Sequence, residues 1–271
     1  MTAPFVAAPV QVFRDGGIVA WRNFTNTRRT PGALFSAVLQ PLMFVLLLAY
    51  VFGGSLGGDS YREYLLGGIF AQSVTFNASF TALGLANDLS KGMVERFRSL
   101  PMSRVAVILG RTTSDMATSV ITLVVTGACG LLVGWRIRGG FWEALAAFGL
   151  LLLFAFAMAW VGALIGLTAS SVEVAQSMGL IWLFPVTFAS TAFVSAARMP
   201  PGLRTIAEWN PVSAVADSVR GLFGNPTPAG LPQPDGWPSQ HPTLYAVLSA
   251  AVLIAVFLPL AAARYRRVCA R

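Results

Sequence analysis

FWEALAAFGLLLLFAFAMAWVGALIGL, residues 141 to 167, carries one charged side chain, Glu143 near its start, and none after it. A helix needs about 20 predominantly apolar residues to cross a hydrocarbon core of about 30 Å, and this run is long enough. Similar runs recur along the chain, separated by short polar gaps. The 271 residues are 55% hydrophobic and 11% charged, with a mean hydropathy of +0.67. A soluble domain has about 25% charged residues. Short segments of alternating polarity, the mark of a membrane β-barrel, are absent. The expected fold is an all-α integral membrane protein.

Working outward from that run, six spans are predicted, at about 31–52, 64–85, 107–133, 141–167, 174–194 and 244–263, in a single transmembrane domain covering 1–271. Residues 9 to 29 place Phe13, Trp21 and Phe24 near helical spacing beside Arg14, Arg22, Arg28 and Arg29, the pattern of a helix lying in the membrane interface. The N-terminus lacks the basic start, apolar core and cleavage site of a removed signal peptide. GGSLGGDSYRE, residues 53 to 63, reads as a turn. The GxxxG pairs Gly130–Gly134 and Gly162–Gly166 mark candidate close helix contacts.

The second span is less apolar than the others. Gln72, Ser73, Asn77 and Thr81 interrupt it, and Ser73, Asn77 and Thr81 recur every four residues on one face. Such a row either glues helices together or lines a substrate path, and the sequence leaves both open.

Nine of the 16 prolines fall between Ala196 and Pro242, too many for a span. Within that segment NPVSAVADSVRGLFG offers Asn210 as an N-cap, Pro211 at the first helical position and Gly224 as a stop. Val212, Val215, Val219 and Leu222 form a stripe, which predicts an amphipathic helix at the far surface. The following NPTPAGLPQPDGWPSQHP reads as an extended loop.

With both termini in the cytoplasm, inner segments hold 13 basic residues and outer ones six, the arrangement the positive-inside bias favours; Arg136 and Arg138 run against it. The net charge of +8 is read as this cytoplasmic excess facing anionic lipid, with no nucleic-acid partner.

Enzyme chemistry finds no foothold. The single His241 has no second histidine for a metal pair, and Cys129 and Cys269 are too few for a disulfide framework or metal domain. GGSLG, Gly53 to Gly57, matches the nucleophile-elbow pattern but lacks the strand before it. Lys91 is the only lysine, and it is not set in GxxxxGK followed by Ser or Thr. If ATP drives this chain, another polypeptide must bind it, and no catalytic residue, metal or cofactor is expected here. A membrane enzyme or proton-coupled transporter is disfavoured by the scarcity of ionisable residues within the spans; Arg111 and Asp115, four apart at the edge of the third span, read as a structural pair.

LSKGMVERFRSLPMSR, Leu89 to Arg104, concentrates charge between two spans. Each charge costs about 2.5–3.5 kcal/mol at a bilayer centre, so the stretch lies outside the hydrocarbon. Asn87 or Asp88 is the predicted cap of a helix there and Pro101 its end. Leu89, Met93, Phe97 and Leu100 share one face; Lys91, Glu95 and Arg98 share another. On the residues alone, a helix resting on lipid and a docking site for a soluble partner remain equally open.

The order of an interfacial N-terminal helix, six spans, NDLSKGMVERFRSLPMSR after the second span and WNPVSAVADSVRGLF near the end resembles the ABC-2 type permeases, most closely the daunorubicin-resistance-like drug exporters. Lys91, Gly92, Glu95, Arg96 and Pro101 carry the most specific part, supported by Asn210, Pro211 and Arg220. The resemblance implies that Asp88, Lys91, Gly92, Glu95, Arg96, Arg98 and Pro101 belong to a coupling helix that docks on a separate ABC ATP-binding subunit. It also implies that ATP and Mg are bound by that subunit, and that two permeases act with two ATPases in a bacterial cell membrane. An amphiphilic cargo, antibiotic or lipid-like, is expected. The alternatives are export of a lipid, glycoconjugate or polysaccharide, or a non-transporting scaffold. The Pro-rich stretch after Gly224 departs from some relatives.

Overall fold

The computed structural model describes residues 39, 41–48, 50, 58–91, 104–225 and 236–268. Among them there is no strand. After a helical stretch at 41–47 come α1 (Gly58–Ser90), α2 (Arg104–Val133), α3 (Phe141–Thr168), α4 (Val172–Phe188), a 3-10 turn at Ala196–Arg198, α5 (Pro201–Glu208), α6 (Pro211–Phe223), α7 (Trp237–Gln240) and α8 (Pro242–Val268). Ser114–Val133 within α2, together with α3 and α8, is long and apolar enough to cross a membrane, and α4 is a shorter apolar helix. The interfacial N-terminal helix and most of the first predicted span lie outside the described residues.

The long apolar run from Phe141, α3, is the centre of the bundle. It is apolar all round, as a helix enclosed by others must be, and it buries Leu150, Leu151, Phe154, Met158 and Trp160 against α1, α2, α6 and α8. Glu143 closes its start by accepting from the Gly140 amide at 2.9 Å. Its contact with α1 is close because Gly162 and Gly166 have no side chain: a Cβ there would meet the carbonyl oxygens of Ala78 at 2.1 Å and Ala82 at 2.6 Å. The other GxxxG pair, Gly130–Gly134, divides. Gly130 sits against Leu66 and Trp135, whereas Gly134 turns the chain at φ +104° with nothing beside it.

Four boundaries differ from the sequence expectation. The first concerns α1, which starts at Gly58 within the expected turn and continues to Ser90. Asn87 and Asp88 consequently lie in its final turns, and the helix expected after them lies outside the described residues; the Asn87 carbonyl accepts from the Lys91 amide at 3.2 Å and the Ser90 hydroxyl at 2.9 Å. The second is α4, which stops at Phe188, well before residue 194, and the chain leaves it through a turn at 189–195 in which Ser190, Thr191, Ala192 and Ser195 are buried. The third is the expected extended loop, which contains one helical turn, α7. The fourth is α6, which keeps its apolar stripe but does not lie on a surface. Val212, Ser213, Ala214, Val215, Ala216, Ser218, Val219, Arg220 and Phe223 are all buried, because α1, α3 and α8 enclose it.

The bundle has two distinct ends. At one, Leu85, Trp160, Ala163, Leu167, Ala261 and Tyr265 form a small core, and Nε of Arg264 donates to the Leu167 carbonyl at 3.4 Å. At the other, α6 is inserted among the starts of α1, α3 and α8.

Candidate functional site: the arginine-held helix

The start and stop of α6 follow from local chemistry. Asn210 Oδ1 accepts from the Val212 amide at 2.9 Å, Pro211 occupies the first turn, and Gly224 adopts the left-handed conformation at φ 71°. Asn210 also reaches backward. Its Nδ2 donates to the carbonyls of Val186 at 2.6 Å and Ala189 at 2.9 Å, groups that the end of α4 leaves without a helical partner.

Arg220 is the centre of the site. Its side chain is 3% exposed. The guanidinium donates to the Tyr64 carbonyl on α1 (2.8 Å), to the Thr191 and Ala192 carbonyls of the 189–195 turn (3.0 and 2.8 Å) and to Asp217 Oδ1 one turn back (2.6 Å). It also stacks on the Tyr64 ring, 3.5 Å from the centroid. A planar fork with five donors can serve all of these at once, and an ammonium cannot.

The partners are themselves held. Thr191 donates through Oγ1 to Asp217 Oδ2 (3.0 Å) and through its amide to Ser213 Oγ (2.9 Å). The Tyr64 and Tyr61 hydroxyls donate to the carbonyls of Thr191 and Phe193, each at 3.1 Å. Gly67 and Gly68 admit this approach: a Cβ on Gly67 would meet Arg220 Cγ at 2.5 Å, and one on Gly68 would overlap the Ala192 carbonyl. The GG step in α1 thus gives room for both the arginine and the turn.

The far end of α6 is fixed by a different set. The Phe223 carbonyl accepts from the amides of Arg138 (2.8 Å) and Gly139 (3.0 Å). Buried Asn225 accepts from Trp135 Nε1 at 2.7 Å and donates to the Arg136 carbonyl at 2.9 Å. Phe70, Trp135, Phe148 and Phe223 pack in one aromatic cluster, with centroids 5.1–6.0 Å apart. Outside it, Arg138 bridges to Glu63 at 2.6 Å, and this hydrogen bond holds the Arg138 guanidinium above its ordinary pKa.

Of the sequence-predicted residues, Asn210, Pro211 and Arg220 are brought together here. Gln72, Ser73, Asn77 and Thr81 are all buried. Asn77 Nδ2 donates to Ser119 Oγ on α2 at 3.1 Å and so joins two helices, whereas Thr81 donates within α1 to the Asn77 carbonyl at 3.3 Å. Gln72 differs: its Nε2 is buried with no hydrogen-bond partner among the described residues. Asp88 lies in the last turn of α1 and Lys91 follows the helix; Gly92, Glu95, Arg96, Arg98 and Pro101 lie outside the described residues, as does the Arg111 side chain. Tyr64, Thr191, Asp217 and Asn225 went unrecognised in the sequence. Asp217 alone left a signal there, a carboxylate three residues before Arg220 in an otherwise apolar helix.

Several long apolar helices, packed through glycine and enclosing a short capped helix, make this a helical membrane protein. The chain belongs to the ABC-2 type transporter family, whose model matches residues 16–223. It is 35% identical over 249 residues, 91% of this chain and 84% of the relative, to the daunorubicin resistance ABC transporter permease protein DrrB1 of Streptomyces coeruleorubidus. It is 22% identical to the "Probable doxorubicin resistance ABC transporter permease protein DrrC" of Mycobacterium tuberculosis, covering 76% of this chain and 75% of that one. Similarity of 25% to the doxorubicin resistance ABC transporter permease protein DrrB of the same organism spans 45% of this chain. It is thus a membrane permease homologous to drug-resistance permeases.

Proposed function

We propose that this chain is the membrane half of an ATP-driven exporter that moves an amphiphilic compound out of the cytoplasm. Its similarity to a daunorubicin resistance permease over most of both chains carries the reading. The absence of a P-loop from the full sequence supports a division of labour, in which a separate ATP-binding subunit supplies the energy.

In this reading six helices span the bacterial cell membrane with both termini in the cytoplasm. Asp88, Lys91, Gly92, Glu95, Arg96, Arg98 and Pro101 form the surface on which the ATPase docks. Two permeases pair with two ATPases, which bind the ATP and Mg. Closure of the ATPases moves the docking segments, and the spans exchange inward for outward access. No covalent chemistry occurs in the permease. The arginine-held helix supports a rigid end to the bundle, against which the spans can move.

The test is efflux of daunorubicin from cells expressing the permease with its ATPase. Glu95→Ala or Arg96→Ala is expected to lower efflux and copurification of the ATPase while membrane insertion stays normal. Unchanged efflux together with unchanged copurification would overturn the docking assignment.

A further inference from the structure

The short helix α5, just before α6, is turned inside out. Its apolar side chains point away from the protein: Ile206 is 60% exposed and Leu203 40%, and Trp209 at its C-cap is 55% exposed. On the opposite side Glu208 is only 11% exposed and accepts from Nε of Arg204, itself 34% exposed, at 2.8 Å. In water the opposite arrangement is favoured, since apolar surface is driven inward and an ion pair loses hydration when covered.

The surroundings identify what covers the apolar face. Trp209 packs on Tyr245 at 5.8 Å, Trp237 packs on the same ring at 6.1 Å, and the Tyr245 hydroxyl donates to the Trp209 carbonyl at 2.7 Å. Tyr245 lies in the first turn of α8, a membrane-spanning helix by length and composition. Along the same helix Leu244, Val247, Leu248 and Val252 are exposed, so the apolar exterior of α8 runs up to this aromatic group. Phe141 and Trp142 are exposed at the start of α3, another span. Tryptophan and tyrosine concentrate where hydrocarbon meets headgroups, because the ring is apolar and the N–H or O–H is wet. Three side chains of a short helix also fall far below the roughly 800 Å² per partner of a stable protein interface.

We infer that α5 is a membrane-interface anchor, with Leu203, Ile206 and Trp209 inserted at the headgroup–acyl boundary of the phospholipid bilayer. Because Asn210 connects α5 directly to α6 and also holds the end of α4, the anchor sets the depth of α6 relative to the membrane.

Nitroxide labels on Ile206→Cys and, separately, Leu203→Cys test this, compared with the exposed polar position Thr205→Cys, about 100° around the helix from Ile206. Each is made in the full chain carrying Cys129→Ala and Cys269→Ala and reconstituted into phosphatidylcholine vesicles. Collision with oxygen and with a water-soluble nickel chelate is then measured. The expected result is an oxygen-to-nickel accessibility ratio several-fold higher at Ile206 and Leu203 than at Thr205. Equal nickel accessibility at all three positions would place α5 in water. Low accessibility to both reagents at Ile206 and Leu203 would mean that protein, such as a second copy, covers the face. Either result overturns the inference.

Discussion

Arg220 lies over the ring of Tyr64, its guanidinium carbon 3.5 Å from the ring centroid, while its Nε donates at 2.8 Å to the carbonyl of the same residue. One residue of α1 thereby satisfies the arginine by two kinds of interaction, and the remaining donors go to Asp217 and the turn. Removing one partner of a fully buried ion pair typically costs about 3–5 kcal/mol, and because Asp217 is 30% exposed the loss here is expected at or below that range. Arg220→Ala is therefore expected to lower the thermal unfolding midpoint of the purified protein sharply. Arg220→Lys should recover only part of the loss, since a point charge cannot reach the Tyr64, Thr191 and Ala192 carbonyls together. Tyr64→Phe keeps the ring and loses one hydroxyl bond, a cost of about 1 kcal/mol. If Arg220→Lys matches the parent, the fork geometry is not what holds α6.

The glycines divide into those that permit contact and those that do not. A methyl on Gly162 would sit 2.1 Å from the Ala78 carbonyl, while one on Gly149 in the same helix meets nothing within 4 Å. Gly162→Ala should separate α1 from α3 and lower the unfolding midpoint. Gly149→Ala should leave it unchanged or raise it, since alanine favours a helix over glycine by about 1 kcal/mol. Equal effects would show that helix propensity, and not close approach, governs these positions.

What the sequence made legible was local. Asn210, Pro211 and Gly224 mark α6 because capping acts over a few residues, and α3 is marked by an apolar run that needs no partner to be recognised. The end of α4 was hidden because its apolar character continues to Val194, while the groups that let the chain leave the helix come from Asn210 and Arg220, later in the chain. The start of α1 was hidden similarly: Gly57 and Gly58 look like a turn, but Tyr61 and Tyr64 are drawn into the helix by carbonyls of the 189–195 turn. The bond from Arg220 to Tyr64 spans 156 residues, and no local pattern announces it.

Asn225 offers a test of the other end of α6. It satisfies the buried indole N–H of Trp135 and the Arg136 carbonyl with one amide. Asn225→Ala leaves both without their partner, and an unsatisfied buried polar group costs about 1–3 kcal/mol. Reduced thermal stability is expected, with faster hydrogen exchange in residues 135–140. Asn225→Asp retains the acceptor for Trp135 but loses the donor to Arg136, so its effect should be intermediate if the side chain acts through both bonds.

The polar row of α1 separates into residues with different duties, and paired substitutions distinguish them. Asn77 is bonded across to Ser119, so Asn77→Ala should destabilise the contact between α1 and α2; interhelical hydrogen bonds of this kind contribute about 0.6 kcal/mol on average. Gln72 is buried with its Nε2 unpartnered among the described residues, so replacement by an apolar side chain of similar length removes an unsatisfied group. Gln72→Met is expected to preserve or raise the unfolding midpoint, whereas Asn77→Ala lowers it. Efflux measured on the same two variants then sorts the roles. A fall in efflux for Gln72→Met with stability retained assigns Gln72 to the substrate path, because loss of folded protein cannot account for it. A fall for Asn77→Ala in proportion to folded protein assigns Asn77 to helix packing alone.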